Sequence, residues 1–176
     1  MERRVGAVRG RARRILMLRG GCLCGGCRFE YTGEVGPANY CHCTDCRRST
    51  GSAFNVGVRL RREHFLMVAG SPHTFTKAGD SGAALSRHFC PTCGSPLFTS
   101  SPRHPDWVYA KAGVLDDPLV VSPTHESWAS SETPWARIPS GIARYGKNAG
   151  GVTTHGRTTD GEVVGPAGLE PATRPL

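Results

Sequence analysis

Three thiols fall within six residues at Cys41-His42-Cys43-Thr44-Asp45-Cys46. A C-x-C that runs into C-x-x-C is poorly placed to close disulfides among its own members. It is well placed to wrap three sulfurs around one metal ion. In extended backbone the side chains alternate faces, so Cys41 and Cys43 point one way and His42 the other. A turn over Thr44-Asp45 is expected to return Cys46 to the same centre. Zinc takes four tetrahedral ligands with Zn–S of about 2.3 Å. Three thiolates therefore leave a fourth place for a distant residue, water or a substrate.

A second knuckle, Cys90-Pro91-Thr92-Cys93-Gly94, is a strong signal for structural zinc and supplies two sulfurs. Its partner pair lies near the start of the chain, in Gly20-Gly21-Cys22-Leu23-Cys24-Gly25-Gly26-Cys27. Either Cys22 with Cys24 or Cys24 with Cys27 can complete it, and the second is the commoner spacing. Both remain open on the residues themselves. The cysteine left over is a small buried hydrophobe or a fourth ligand to the central three.

The compartment decides between metal and disulfides for these eight cysteines. Ile15-Leu16-Met17-Leu18 is followed at once by Arg19 and is too short for an export signal. No run approaches the roughly 20 apolar residues of a membrane span. A reducing, cytoplasmic setting is expected, which favours metal. The formal charge of +8 is uneven, because six arginines against Glu2 put +5 on residues 1–16 and leave +3 for the rest. The excess sits on an arm rather than on a basic surface, which argues against nucleic acid as the partner.

These sulfurs need a scaffold. The chain has 176 residues, 38% of them hydrophobic, with 23 glycines and 13 prolines. That suits one lean, turn-rich β domain steadied by metal. Strands are predicted at residues 28–32, 53–60, 65–69, 73–76, 84–89, 96–99 and 107–112, with turns at 33–37 and 113–118. A short helical turn is predicted after the central cluster, ending near Gly51. Trp128 and Trp135 are expected as core anchors in irregular structure over 119–136. Residues 1–16 and 146–176 show no apolar period and are expected to be disordered. Met17 is a plausible start for the domain, and residues 165–176 resemble read-through of a transfer-RNA gene.

Several motifs occur in order: Gly21-Cys22-Leu23-Cys24-Gly25, the central cluster with Arg47-Arg48 and Gly51-Ser52, and Phe89-Cys90-Pro91-Thr92-Cys93-Gly94-Ser95-Pro96-Leu97-Phe98. Ala112-Gly113, Leu115-Asp116-Asp117-Pro118 and Pro134-Trp135 follow. Over about residues 17–145 this series resembles the glutathione-dependent formaldehyde-activating enzyme (GFA) family, which includes centromere protein V. The resemblance implies a mainly β, Mss4-like, single-domain fold with two zinc ions. It implies Cys22, Cys24, Cys90 and Cys93 at a structural zinc, and Cys41, Cys43 and Cys46 at a second zinc with an open place. Cys27 matches no family ligand. The implied activity is carbon–sulfur lyase chemistry that forms or cleaves a thiol–aldehyde adduct such as S-hydroxymethylglutathione. Glutathione would be the co-substrate and formaldehyde the small-molecule partner, and Arg47, Arg48 or Arg59 can pair the carboxylates of an anionic tripeptide. The other class of function is a zinc module without turnover that binds a thiol or a protein.

Among the remaining residues, His42 is expected behind the ligands or at the surface. His88 is expected in packing, and Asp45 as a turn anchor through a side-chain to backbone hydrogen bond. Asp116-Asp117 before Pro118 reads as a turn rather than a catalytic pair. There is no Ser-His-Asp pattern and no phosphate-binding glycine loop.

Overall fold

The computed structural model describes residues 17–80, 82–138 and 141–147. The leader expected over 1–16 and, apart from Gly146 and Lys147, the tail expected over 146–176 lie outside the described residues. The fold is mainly β and has one core.

A small sheet is built from β1 (Leu18–Gly21), β2 (Arg28–Tyr31) and β5 (Phe65–Ala69), all antiparallel. The other strands are β3 (Ala38–Cys41), β4 (Asn55–Arg61), β6 (His73–Ala78), β7 (Ala84–Phe89), β8 (Pro96–Ser100), β9 (Trp107–Lys111), β10 (Pro123–Ser127) and β11 (Ala143–Arg144). They form one 8-stranded sheet in the order β11-β10-β3-β4-β9-β8-β7-β6. A single α-helix is present among the described residues, α1 (Thr44–Thr50), between β3 and β4.

Alternation on the central strands separates two faces. Val58 and Leu60 of β4, with Val108 and Ala110 of β9, are fully buried against Phe29 and Tyr31 of the small sheet. Burying a side chain of this size contributes about 1.5–3 kcal/mol. Aromatic contacts carry the core across the two sheets: the Phe65 ring lies 4.9 Å from Phe29 and 4.9 Å from Phe98. Gly57, Arg59 and Lys111 lie on the opposite face.

Strands predicted from alternation coincide with β2 and with β4 to β9 to within two residues at each end. β1, β3, β10 and β11 were not visible as strands. β1 has two glycines, β10 is polar, and each is held mainly by its neighbours' ladders. Residues 119–136 are thus not wholly irregular. The core-anchor role expected of Trp135 is corrected: its side chain is 77% exposed, on the rim of a cleft. Trp128 is half-buried and starts a 3-10 turn in the left-handed region, with φ 61°.

Candidate functional site

The first cysteine knuckle is the loop of the β1–β2 hairpin. The Cys22 N–H donates to the Cys27 carbonyl at 3.0 Å and the Gly25 N–H to the Cys22 carbonyl at 3.1 Å, with Gly25 left-handed at φ 77°. The second knuckle is the β7–β8 loop. There the Cys90 N–H donates to the Ser95 carbonyl and the Gly94 N–H to the Cys90 carbonyl, both at 3.0 Å, with Gly94 at φ 73°. The Leu23 N–H donates to the Ser95 hydroxyl at 3.0 Å and joins the two loops.

This brings Cys22, Cys24, Cys90 and Cys93 together, with every sulfur within 4.8 Å of the others. Cys22 and Cys24 sulfurs are 3.5 Å apart, and those of Cys24 and Cys90 3.7 Å. Neither distance is a disulfide, and all eight cysteines are free. Four sulfurs around one zinc ion would stand about 3.8 Å apart, since Zn–S is about 2.3 Å and the geometry tetrahedral. The donor set therefore fits zinc. Hydrogen bonds from the Ser95 hydroxyl and N–H hold the Cys93 thiol down to about 5. Cys24 accepts an N–H from Gly26, which favours its thiolate, yet the adjoining thiols push it up to about 12.

Cys27 stands outside the four. Its N–H donates to the Cys22 sulfur at 3.1 Å, and its own thiol is 2% exposed. Burial first, then the thiols of Cys90 and Cys22, push it up to about 11. Its sulfur packs on Gly70, where a Cβ would come within 2.9 Å of it and would also meet the Gly26 carbonyl. Gly70 has φ +68°. Gly70→Ala is expected to cost about 1–3 kcal/mol from the backbone alone, with the clash adding to it. Urea unfolding of the metal-replete protein measures this, and an unchanged midpoint would refute it.

The second group is Cys41, Cys43 and Cys46, again with all sulfurs within 4.8 Å. Cys41 ends β3. Cys43 is the N-cap of α1, with φ −57° and ψ 150°, and its sulfur accepts the Cys46 N–H at 3.3 Å. Cys46 lies in the first turn. The turn expected over Thr44-Asp45 is the start of this helix, which ends at Gly51 in the left-handed region. Hydrogen bonds from the Cys41 and Cys46 thiols hold Cys43 down to about 2. The same charge raises Cys41, chiefly through its bond to Cys43. Cys46 receives a favourable bond from Cys41 but is pushed up to about 11 by Cys43 and by burial. Three soft donors in this arrangement suit a zinc ion.

His42 points away from these sulfurs, as alternation requires. It is fully buried, and its Nε2 lies 2.9 Å from Glu126 Oε2. The ladder explains the meeting: Glu126 pairs with Tyr40, so it faces the side to which His42 turns two residues later. Arg144 Nε lies 3.3 Å from Glu126 Oε1, and Arg144 also pairs Glu132. His42, Glu126 and Glu132 are close enough to suggest a third metal site, but the Arg144 guanidinium already serves both carboxylates. The group instead pins the Cys41–Cys43 segment to β10. Glu126 carried no sequence signal because its partner is distant in the chain.

Asp45 does not anchor a turn with its side chain. It pairs Lys77 at 2.7 Å and Arg87 at 3.2 Å. Asp117 accepts the Leu119 N–H at 3.0 Å, while Asp116 pairs Arg28, so neither faces a cysteine cluster as half of a carboxylate dyad. His88 stacks on Phe98 at 4.2 Å and is hydrogen-bonded to Thr74 and Ser100. Arg59 lies over the Trp107 ring at 4.5 Å.

Beside the second cluster is a cleft of about 280 Å³ lined by Thr44, Arg47, Arg48, Ser52, Ala53, Thr133 and Trp135. The spacing of Thr44, Arg47 and Arg48 puts them along one side of α1. Among the described residues neither arginine has a carboxylate partner, and the Arg47 Nε is buried without a hydrogen bond.

The model of the family described as "Glutathione-dependent formaldehyde-activating enzyme" matches residues 17–131, which include every cysteine of both groups. The chain belongs to this family. A Halomonas elongata relative named "Putative glutathione-dependent formaldehyde-activating enzyme" is 30% identical over 131 residues, spanning 71% of this chain and 83% of the relative. A Rhodobacter sphaeroides crystal structure aligns at 22% identity with a TM-score of 0.46, covering 56% of this chain and 87% of that one. Within the GFA family match lie both knuckles, α1 and the strands that hold them, while Trp135 on the cleft rim falls just beyond it. Among the described residues no helix is long and apolar enough to cross a membrane.

Proposed function

We propose that this GFA-family chain is a zinc-dependent carbon–sulfur lyase that joins a thiol such as glutathione to formaldehyde and also cleaves the adduct. Cys22, Cys24, Cys90 and Cys93 would hold one zinc ion that steadies the fold, and Cys41, Cys43 and Cys46 a second. Bound there, the second ion supplies a Lewis acid that lowers the pKa of a thiol. The thiol sulfur forms a bond to the aldehyde carbon. The carbonyl π pair moves to oxygen, and the proton lost by the thiol ends on that oxygen, giving the hydroxymethyl thioether. The reverse breaks the same carbon–sulfur bond.

The observation that carries this reading is the three-sulfur cluster beside a cleft whose two arginines have no carboxylate partner among the described residues. Arg47 and Arg48 bind and orient the carboxylates of the tripeptide, and the exposed Trp135 ring forms an apolar wall. A charge-assisted hydrogen bond of this kind contributes about 1.5–3 kcal/mol. Arg47→Ala or Arg48→Ala is therefore expected to raise the KM for glutathione about tenfold or more, with a smaller change in kcat. Initial rates across glutathione concentrations measure this, and an unaltered KM in both variants would remove the arginines from the binding site.

The activity itself is tested by mixing metal-replete protein with glutathione and formaldehyde and following adduct exchange by NMR. Exchange well above the buffer rate supports the lyase. Exchange at the buffer rate would leave a zinc module that binds a thiol or a protein without turnover.

A further inference from the structure

One buried cation near the three-cysteine cluster, Lys111, has no carboxylate partner among the described residues. Lys111 ends β9 and is 8% exposed. The ladder pairs Lys111 with Gly57 and Asn55 with Cys41. Gly57 and Asn55 are two residues apart on β4, so Lys111, Asn55 and Cys41 share one face of the sheet. Two strand spacings and two residues separate Lys111 from Cys41, about 12 Å between Cα atoms, a gap that a lysine side chain largely closes. The ammonium interacts electrostatically with Cys46, Cys41 and Cys43. Of the neighbouring cations, Lys77 and Arg87 both bind Asp45, while Arg47 and Arg48 line the cleft. Lys111 forms no ion pair with a carboxylate among the described residues. The neighbouring Asn55 Oδ1 is buried without a hydrogen bond.

A lone buried ammonium is unfavourable unless something negative faces it. A divalent ion held by three thiolates has a net charge of −1, and a fourth thiolate would take it to −2. From this we infer that Lys111 is a specificity-determining residue: its positive charge lets the three-cysteine centre accept a thiolate, rather than a neutral ligand, at its open place. This rests on the proposed thiol chemistry and adds which form of ligand the site selects. Burial lowers the Lys111 pKa; the charge of Cys46 opposes this, the Arg87 charge adds to it, and those of Cys41 and Cys43 oppose it.

The test is ligand binding rather than turnover. Metal-replete protein is titrated calorimetrically with glutathione and with S-methylglutathione, which keeps both carboxylates but cannot form a thiolate. Wild type is expected to bind glutathione at least tenfold more tightly. Lys111→Met is expected to lose about tenfold in glutathione affinity with S-methylglutathione unchanged, and Lys111→Arg to retain most of it. Metal content and near-ultraviolet circular dichroism verify each protein first, and Lys111→Gln serves if the methionine variant does not fold. Equal affinity for the two ligands in wild type would overturn the inference without any variant. So would undiminished glutathione affinity in Lys111→Met or Lys111→Gln, or an arginine variant no better than these. Lysine-dependent thiolate binding without formaldehyde exchange would leave the inference standing and remove the lyase. Exchange that is indifferent to Lys111 would do the reverse.

Discussion

Cys93→Ser is expected to leave the domain unfolded, and stripping metal from the wild type with a strong chelator should do the same. Cys22 and Cys24 sit in the loop of the β1–β2 hairpin, and Cys90 and Cys93 in the β7–β8 loop. Their four sulfurs therefore join the small sheet to the large one at the edge of the core, where Cys22 and Cys90 are themselves buried. A structural zinc site contributes about 10–16 kcal/mol of apparent binding energy at neutral pH. A domain of this size is stable by only about 5–15 kcal/mol in all. Loss of the ion thus removes an amount comparable with the entire stability. Serine is a poor ligand for zinc and would leave three sulfurs in a cage built for four. Far-ultraviolet circular dichroism and a urea titration measure the outcome. A cooperative transition of wild-type midpoint in the variant, or in chelated wild type, would show that the hydrophobic core holds the sheets without metal.

Cys43→Ser should behave in the opposite way: the fold persists, one of two metal ions is lost, and adduct formation falls by at least a hundredfold. The local structure explains why the fold survives. Cys43 is the N-cap of α1, and its sulfur accepts the Cys46 N–H. Serine is among the preferred N-cap residues, so the hydroxyl takes over that bond. His42 remains pinned by Glu126, and the Cys41–Cys43 segment keeps its place on β10. The loss falls on the donor set, which drops from three soft sulfurs to two. Elemental analysis for zinc, thermal unfolding and NMR exchange on one preparation separate these effects. Unfolding as complete as that of Cys93→Ser would mean that both clusters are structural. Undiminished exchange with one ion missing would place the chemistry elsewhere.

Much of this arrangement was legible in the chain. The three-cysteine run and the C-P-x-C-G knuckle stood out because a metal site in a turn is local: its ligands are separated by one or two residues. β4 to β9 were visible from short runs of strand-forming residues bounded by turn residues, although β6 is exposed throughout and β8 is buried on both faces at its centre. That signal failed for β10 and β11, which are short and polar and are held by parallel pairing with strands far away in sequence. Trp135 misled for the converse reason, because a large aromatic ring reads as core unless the cleft it lines is known.

The sequence by itself determined which sulfurs travel together and in what local geometry, because cysteine spacing and glycine placement act within a few residues. Only the tertiary structure brings Cys22 together with Cys24, Cys90 and Cys93 and buries Cys27 against Gly70. The meeting of Glu126 with His42, and the place of Lys111 on the same sheet face as Cys41, likewise follow from strand register. Register sets which residues meet across a sheet, and it depends on contacts far apart in the chain that no local pattern encodes.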